Sequence, residues 1–389
     1  MPMSGIKIVE ACSNIAGPVT GTIFGDLGAE VIKIEKPNGG DDARGWSPPM
    51  LHGMGARFQA INRNKRSVTL ELKNAKDRAE LKRLVAEADV FVHNMRPGVA
   101  ESLGLSGPEA LALNPRLIYC AIGAYGSKGP WQTWSAYDGL AQALSSQMFG
   151  NGEPDGQPLL VADALVDKGA GMWAAIAILA ALHDRAKTGK GSIVETSLLE
   201  AALFWRDGAF AQYVASGRSP HRPGNGSAQV VPYGVFPTAD RPIMLGLAGD
   251  GLFAAFAKLI GRGDWVSDER FAKNAARVAN RNVLEAMMAE ALSARKRDEW
   301  VELLGSNGIP CAPILDPAGA FHHPQVQALG IFQSPPDLEM PLVTAPWSIN
   351  GVRPPVRRRA PLLGEDNEIL SRKEDGADVT DRGGLGKEV

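Results

Sequence analysis

Asp167 is the residue in this chain of 389 whose type and setting most invite chemistry. Gly169 and Gly171 follow it closely, and then comes a run in which Met172, Trp173, Ile176, Ile178, Leu179 and Leu182 are separated mostly by alanine. That pattern predicts a helix buried on nearly all sides, with Asp167 in a glycine-flanked loop just ahead of it. A carboxylate there caps free backbone N–H groups and sits well against the helix dipole. It is also open to a part in catalysis, because the glycines let a bulky ligand approach backbone and carboxylate together.

A second group of residues suggests anion binding. Lys33, Lys36, Arg44, Arg63, Lys65, Arg66, Lys73 and Arg96 fall near the ends of predicted strands. Singly, each reads as a solvated surface charge. Together they offer cations for a local anion site, even though the whole chain carries a net charge of only −2. That balance gives no electrostatic case for nucleic acid or an anionic membrane as partner. Glu35 ends a strand much as the ribose ligand of nicotinamide enzymes does, but the G-x-G-x-x-G fingerprint is missing. Gly17, Gly21 and Gly25 recur every four residues instead and predict a close-packed helix face. His322 and His323 beside Pro324 read as a loop without a third ligand, so no metal is expected.

These residues need a scaffold, and alternating strands and helices supply one. Ile6 to Val9, Val31 to Ile34, Ser67 to Leu72, Val90 to Val92 and Leu117 to Ala121 read as strands. Ala75 to Ala88 has helical spacing, and Asn14 and Pro18 mark a helix start. The fold class is therefore α/β, with a mostly parallel, doubly wound sheet. Residues 1–215 are expected to form the main part of a large domain and 216–226, rich in Ser, Gly, Pro and Arg, a linker. A smaller α/β unit follows, with strands at Tyr233 to Phe236 and Ile243 to Leu247. Its helices are placed at Leu252 to Ile260, Arg281 to Ala294 and Asp298 to Asn307. Residues 373–389 have almost nothing to bury and read as a disordered tail. Cys12, Cys120 and Cys311 are far apart and lie in or beside apolar segments, which predicts free buried thiols and a reducing compartment. The first residues lack a signal-peptide pattern and Met172 to Leu182 is short for a bilayer, so a cytoplasmic protein is expected.

The ordered motifs resemble one family. Asp167, Gly171 and Ile178 to Leu182, then Arg185 to Gly191 and Val194 to Leu199, are similar to the catalytic region of the class III CoA-transferases. Ala16-Gly-Pro18, Leu27 to Glu35, Asn64 to Ser67, Asn94 to Gly98, Leu103 to Leu105, Asn114 to Tyr119, Tyr125-Gly126 and Gly129-Pro130 continue the resemblance in order, from about residue 5 to about residue 371. It implies a Rossmann-like large domain, a small domain over 227–318, a return to the large domain over 319–372, and an interlocked homodimer. It also implies coenzyme A as substrate, with no metal or prosthetic group, and carboxylic acids as acceptors.

Residue by residue, the resemblance makes Asp167 the nucleophile. It places Asn14 and Ala16 along the pantetheine arm, Lys36 at the adenine, Leu72 and Lys73 on the nucleotide side, and Asn94, Met95 and Arg96 on the loop that touches the coenzyme. Oxyanion donors would come from Gly169 to Gly171 or from Gly246, Gly249 and Gly251. Ile15, Tyr137 and Gln142 fall on the substrate side, and Trp131, Trp134 and Trp205 either shape an acyl pocket or fill core. Formyl-CoA transferase has Gln where this chain has Ile15, so formyl or oxalyl specificity is not implied; dicarboxylates such as succinate are the donor class by analogy. Two other readings are open. A 2-methylacyl-CoA racemase shares the fold and the Asp, but needs a His-Asp pair where this chain has Tyr137-Asp138, and a phenol titrating near about 10 is a poor substitute. A non-catalytic CoA-binding protein would have no use for Asp167.

Overall fold

The short β-branched runs of the first 200 residues pair side by side into one parallel sheet. In the computed structural model, which describes residues 1–371, its strands are β1 (Lys7–Ala11), β2 (Glu30–Glu35), β3 (Arg66–Thr69), β4 (Val90–His93), β5 (Ile118–Gly123) and β6 (Ser192–Ser197). Their order is β3-β2-β1-β4-β5-β6, and every pairing is parallel. In such a sheet the connections leave β1 and β4 in opposite directions, which opens a crevice beyond the carboxyl ends of these two neighbours.

The helices that cover the sheet carry local reasons for their positions. Helix α1 (Ala16–Leu27) ends at Gly28, whose φ of 102° is the left-handed conformation a helix stop favours. After α2 (Ala56–Asn62), α3 (Ala75–Ala86) starts where the Asn74 side chain accepts the Lys76 N–H, and α4 (Gly107–Leu113) where Ser106 and Glu109 form a capping box. Leu81, Leu84 and Val85 of α3 and Ala110 of α4 pack on Val9, Ile32, Val68, Phe91 and Tyr119 of the sheet to form one core. The long helix α5 (Leu165–Thr188) leads into β6.

By their contacts the residues group into two units, one of Met1–Tyr137, Val166–Ala201 and the chain from residue 331, the other of Asp138–Leu165 and Ala202–Gly330. That division differs from the expected boundaries, since 138–165, 202–215 and 319–330 group with the second unit. Its antiparallel sheet, β7 (Tyr233–Phe236), β8 (Ile243–Gly246) and β9 (Cys311–Pro313), has β8 in the middle. Its own core is aromatic, with Phe253, Phe256, Trp265, Phe271 and Trp300 around Leu284 and Met288. The expected tail at 373–389 lies outside the described residues.

Three local expectations are corrected. Asn14 does not cap α1: it has a φ of 66°, and Ile15 stands at the cap position with no side-chain hydrogen bond. The apolar helix starts at Leu165, so Asp167 lies in its first turn, and Gly169 and Gly171 are helical residues whose N–H groups belong to the helix ladder. Nor is this helix buried all round: Val166, Ala170, Ala174 and Ile178 are covered, whereas Met172 and Ile176 are 46% and 52% exposed. At 24 residues it has the length and composition to cross a membrane, unlike the shorter run read from the sequence. Its far end is tied to the sheet unit, where Arg185 pairs with Asp89 at 2.8 Å.

Candidate active site

A cleft of about 680 Å³ lies at the carboxyl ends of the parallel strands, within the first unit. Residues 11–16 after β1, 35–36 after β2, 70–73 after β3, 94–97 after β4, 122–124 at the end of β5 and Leu198 after β6 all line it. Neighbouring strands are about 4.8 Å apart, so an edge crossing six of them spans about 24 Å. The cleft is therefore long enough for an extended ligand.

Asn14, Ile15, Ala16, Lys36, Leu72, Lys73, Asn94, Met95, Arg96, Tyr137 and Asp167, distant in sequence, meet on this one surface. Asp167 is placed there by packing. One turn further along α5, a Cβ on Gly171 would stand 2.4 Å from the Ala16 carbonyl oxygen and 3.0 Å from Val19 Cβ. The Thr20 hydroxyl donates to the Gly171 carbonyl at 3.0 Å. Gly171 thus serves helix contact rather than ligand access, and it sets the first turn of α5 beside the first turn of α1.

The loop after β1 is held from three sides. Asn94 clamps Ser13 through both amide atoms, accepting its N–H at 3.0 Å and donating to its carbonyl at 2.8 Å. The Asn94 side chain is therefore a staple between two loops, and it lines the cleft beside Met95 and Arg96. Asp41 accepts the Asn14 N–H at 3.0 Å, and Lys33 Nζ donates to the Cys12 carbonyl at 2.8 Å. Lys33 is fully buried and also meets Glu10 at 3.1 Å and Asp41 at 2.9 Å; Glu10 in turn holds buried Lys65 at 2.8 Å. Burial works against both ammonium groups. The Glu10, Asp41 and Glu35 carboxylates nevertheless keep Lys33 above its ordinary value, while Lys65, with Glu10 in its favour and Lys33 against it, falls to about 8.

These contacts correct the reading of the basic cluster. Lys33 and Lys65 belong to the buried chain; Arg44 pairs with Glu35, Arg63 with Asp26 and Arg66 with Glu30. Burial opposes ionisation of Glu35, but hydrogen bonds from Arg44 and the Lys33 charge hold it down to about 2. Its carboxylate is consumed by Arg44, Ser67 and the Asp41 N–H, which removes the ribose-ligand reading. Exposed Lys36 pairs with Asp42 at 2.7 Å. Lys73 and Arg96 line the cleft with no ion pair among the described residues.

Other expected site residues lie elsewhere. Gln142 is buried in the second unit, where its amide bonds Asp138 and both polar backbone groups reach it from Val161, so its side chain is occupied. Gly246 ends β8, Gly249 with φ 135° precedes the helix Asp250–Leu259, and Gly251 lies within that helix, so the segment is not an open glycine loop. Trp205 is in the second unit. His322 ends the helix Pro317–His322, and His323 caps the next one through the Gln325 N–H. Cys12 and Cys120 are buried free thiols, and Cys311 is half-buried.

Sequence reasoning missed Ser13, Asp41 and His93. His93 ends β4, its Nδ1 accepting the Met95 N–H at 3.3 Å and its Nε2 meeting the Tyr119 hydroxyl at 2.6 Å. Burial lowers this imidazole to about 4, with Glu101 pulling weakly the other way. Its position at a strand's carboxyl end, just before Asn94, is the signal that could have found it.

A doubly wound parallel sheet with a carboxylate and cations along its carboxyl edge has the architecture of an α/β protein whose ligands lie in the crevice beyond the strand ends. Residues 3–367 match CoA-transferase family III, and the chain belongs to that family. It is 37% identical over 390 residues to a succinate–glutarate CoA-transferase of Agrobacterium fabrum, covering 96% of each chain. It is 36% identical to an acetyl-CoA:oxalate CoA-transferase of Acetobacter aceti, covering 96% of this chain and 95% of that one. A solved CAIB/BAIF family protein from Brucella suis superposes with a TM-score of 0.86 at 36% identity, over 95% of this chain and 98% of the other.

Proposed function

We propose that this protein moves coenzyme A from an acyl-CoA to a free carboxylic acid through a thioester on Asp167. The observation that carries the reading is the cleft itself, where Asp167, in the first turn of α5 beside the start of α1, shares one edge of about 24 Å (about 4.8 Å per strand) with Lys36, Lys73 and Arg96. Coenzyme A fits that polarity, with its phosphates at the cations on the β2, β3 and β4 side and its pantetheine arm running over residues 14–16 to the carboxylate.

The chemistry balances without an external base. An Asp167 carboxylate oxygen attacks the acyl carbonyl, the carbon–sulfur bond breaks, and CoA leaves as thiolate with a mixed anhydride behind it. The thiolate attacks the Asp167 carbonyl and expels the donor acid as carboxylate, leaving aspartyl-CoA. An acceptor carboxylate runs the sequence in reverse and restores Asp167. Each step passes through an oxyanion. With Gly169 and Gly171 inside the helix, the donors fall to the first-turn N–H groups of Ala16 and Gly17, since no side chain caps α1.

We also propose a homodimer, as the family resemblance implies. Met172 and Ile176 on α5, and Phe204, Tyr213 and Val214 in the second unit, are large apolar side chains between 46% and 82% exposed, which a partner copy could cover.

The test is trapping. The protein is incubated with a panel of acyl-CoAs, succinyl-CoA first among them, quenched with hydroxylamine, and its peptides mapped by mass spectrometry. A hydroxamate at Asp167, absent from Asp167→Ala, is the expected result. No adduct with any donor, together with α-proton exchange on a 2-methylacyl-CoA, would establish the racemase reading instead.

A further inference from the structure

The cleft is chemically lopsided. Its cations come from the ends of β2, β3 and β4, whereas its lining from the β5 and β6 side, residues 122–124, 134–137 and Leu198, contains no Lys, Arg or His. On that side Trp134 is 53% exposed. Trp131 lies flat against it, with ring centroids 4.6 Å apart and planes 10° from parallel, and Tyr125 stands edge-on to Trp131 at 5.2 Å. One face of Trp134 is thus fixed by a stacked neighbour while much of the ring stays open. An indole held this way is ready to extend the stack onto a flat ligand, with little ordering cost. A second carboxylate entering this half would lose water and find no cation in its lining.

Resting on the CoA-transfer reading, we propose that Trp134, backed by Trp131, determines specificity and that the site prefers an acyl group with a flat, uncharged body, an arylacyl group, over a dicarboxylic one. The acyl chain would lie against Trp134 while the coenzyme's anionic groups occupy the opposite half. The adenine ring of the coenzyme offers the same flat surface, so the test must separate the two sources.

The experiment is isotope exchange between phenylacetyl-CoA and its own ¹³C-labelled acid, beside succinyl-CoA with labelled succinate. Wild type, Trp134→Ala and Trp134→Phe are compared, with thermal unfolding to confirm that each variant folds. The expected result is a higher kcat/KM for the aryl pair in wild type, a loss of about tenfold for that pair in Trp134→Ala, little change for succinyl-CoA, and substantial recovery in Trp134→Phe. The loss should persist when phenylacetyl-pantetheine replaces the CoA thioester; if it vanishes there, Trp134 stacks on adenine and the acyl assignment is wrong. Preference for succinyl-CoA, or an equal loss for both pairs, also overturns it. Hydroxylamine trapping separates the two levels: an Asp167 adduct with succinyl-CoA but none with phenylacetyl-CoA defeats only the acyl assignment, whereas none with any thioester of the panel defeats the CoA-transfer reading too.

Discussion

Burial strips water from Glu10, Lys33 and Lys65 together, and each ion is tolerated only because the next one faces it. The chain ends at Asp41, whose carboxylate takes both Lys33 and the N–H of Asn14. Asp41 is therefore a positioning residue for the loop along which the pantetheine arm is proposed to lie. Replacing it by Asn keeps the shape and removes the charge: Asp41→Asn should raise KM for acyl-CoA several-fold with kcat nearly kept, and an unchanged KM would refute the role. His93 makes a pH prediction. Its folded value of about 4 lies below the ordinary 6.5, so the unfolded chain binds the extra proton first and stability is lost as pH falls from about 6.5 towards 4. Glu35, held to about 2 against an ordinary 4.5, extends that loss below pH 4.5. Urea midpoints measured between pH 7 and 4 should show His93→Gln flattening the upper part of the decline alone; a parallel profile would exclude His93 as its source.

At the level of elements, the glycines of α1 act by closeness. An added Cβ on Gly21 would stand 1.8 Å from a Glu10 carboxylate oxygen and 3.2 Å from Lys65 Cε, both fully buried. Ala normally stabilises a helix interior over Gly by about 0.5–1 kcal/mol, but overpacking a core costs about 1–3 kcal/mol, so Gly21→Ala should destabilise. Gly305, helical with nothing within 4 Å of its Cβ position, is the control: Gly305→Ala should be neutral or stabilising. Thermal unfolding of the pair decides it, and equal shifts would show that the Gly21 contact relaxes freely. This four-residue glycine repeat was legible in the sequence. The true start of α5 was not, because a helix signal strong over Met172 to Leu182 hides how far the helix extends across Gly169 and Gly171.

Across the whole molecule, the exposed apolar residues of both units predict self-association. Sedimentation equilibrium should give about twice the chain mass at micromolar concentration, and replacing Ile176 by Glu should weaken the dimer; a stable monomer would refute the assignment. The local pattern was enough to identify the parallel α/β sheet, the strands expected at Tyr233 to Phe236 and Ile243 to Leu247, and the ordered motifs of the family, because periodicity and turn chemistry are written in neighbouring residues; the antiparallel pairing of those later strands was not legible there. Which cations remain available was decided only by the tertiary structure. Lys33, Arg44, Arg63, Lys65 and Arg66 look like Lys73 and Arg96 in the sequence, yet each is taken by a carboxylate brought from another element. A charge's partner is chosen by distance in space, and that distance exists only once the strands have paired.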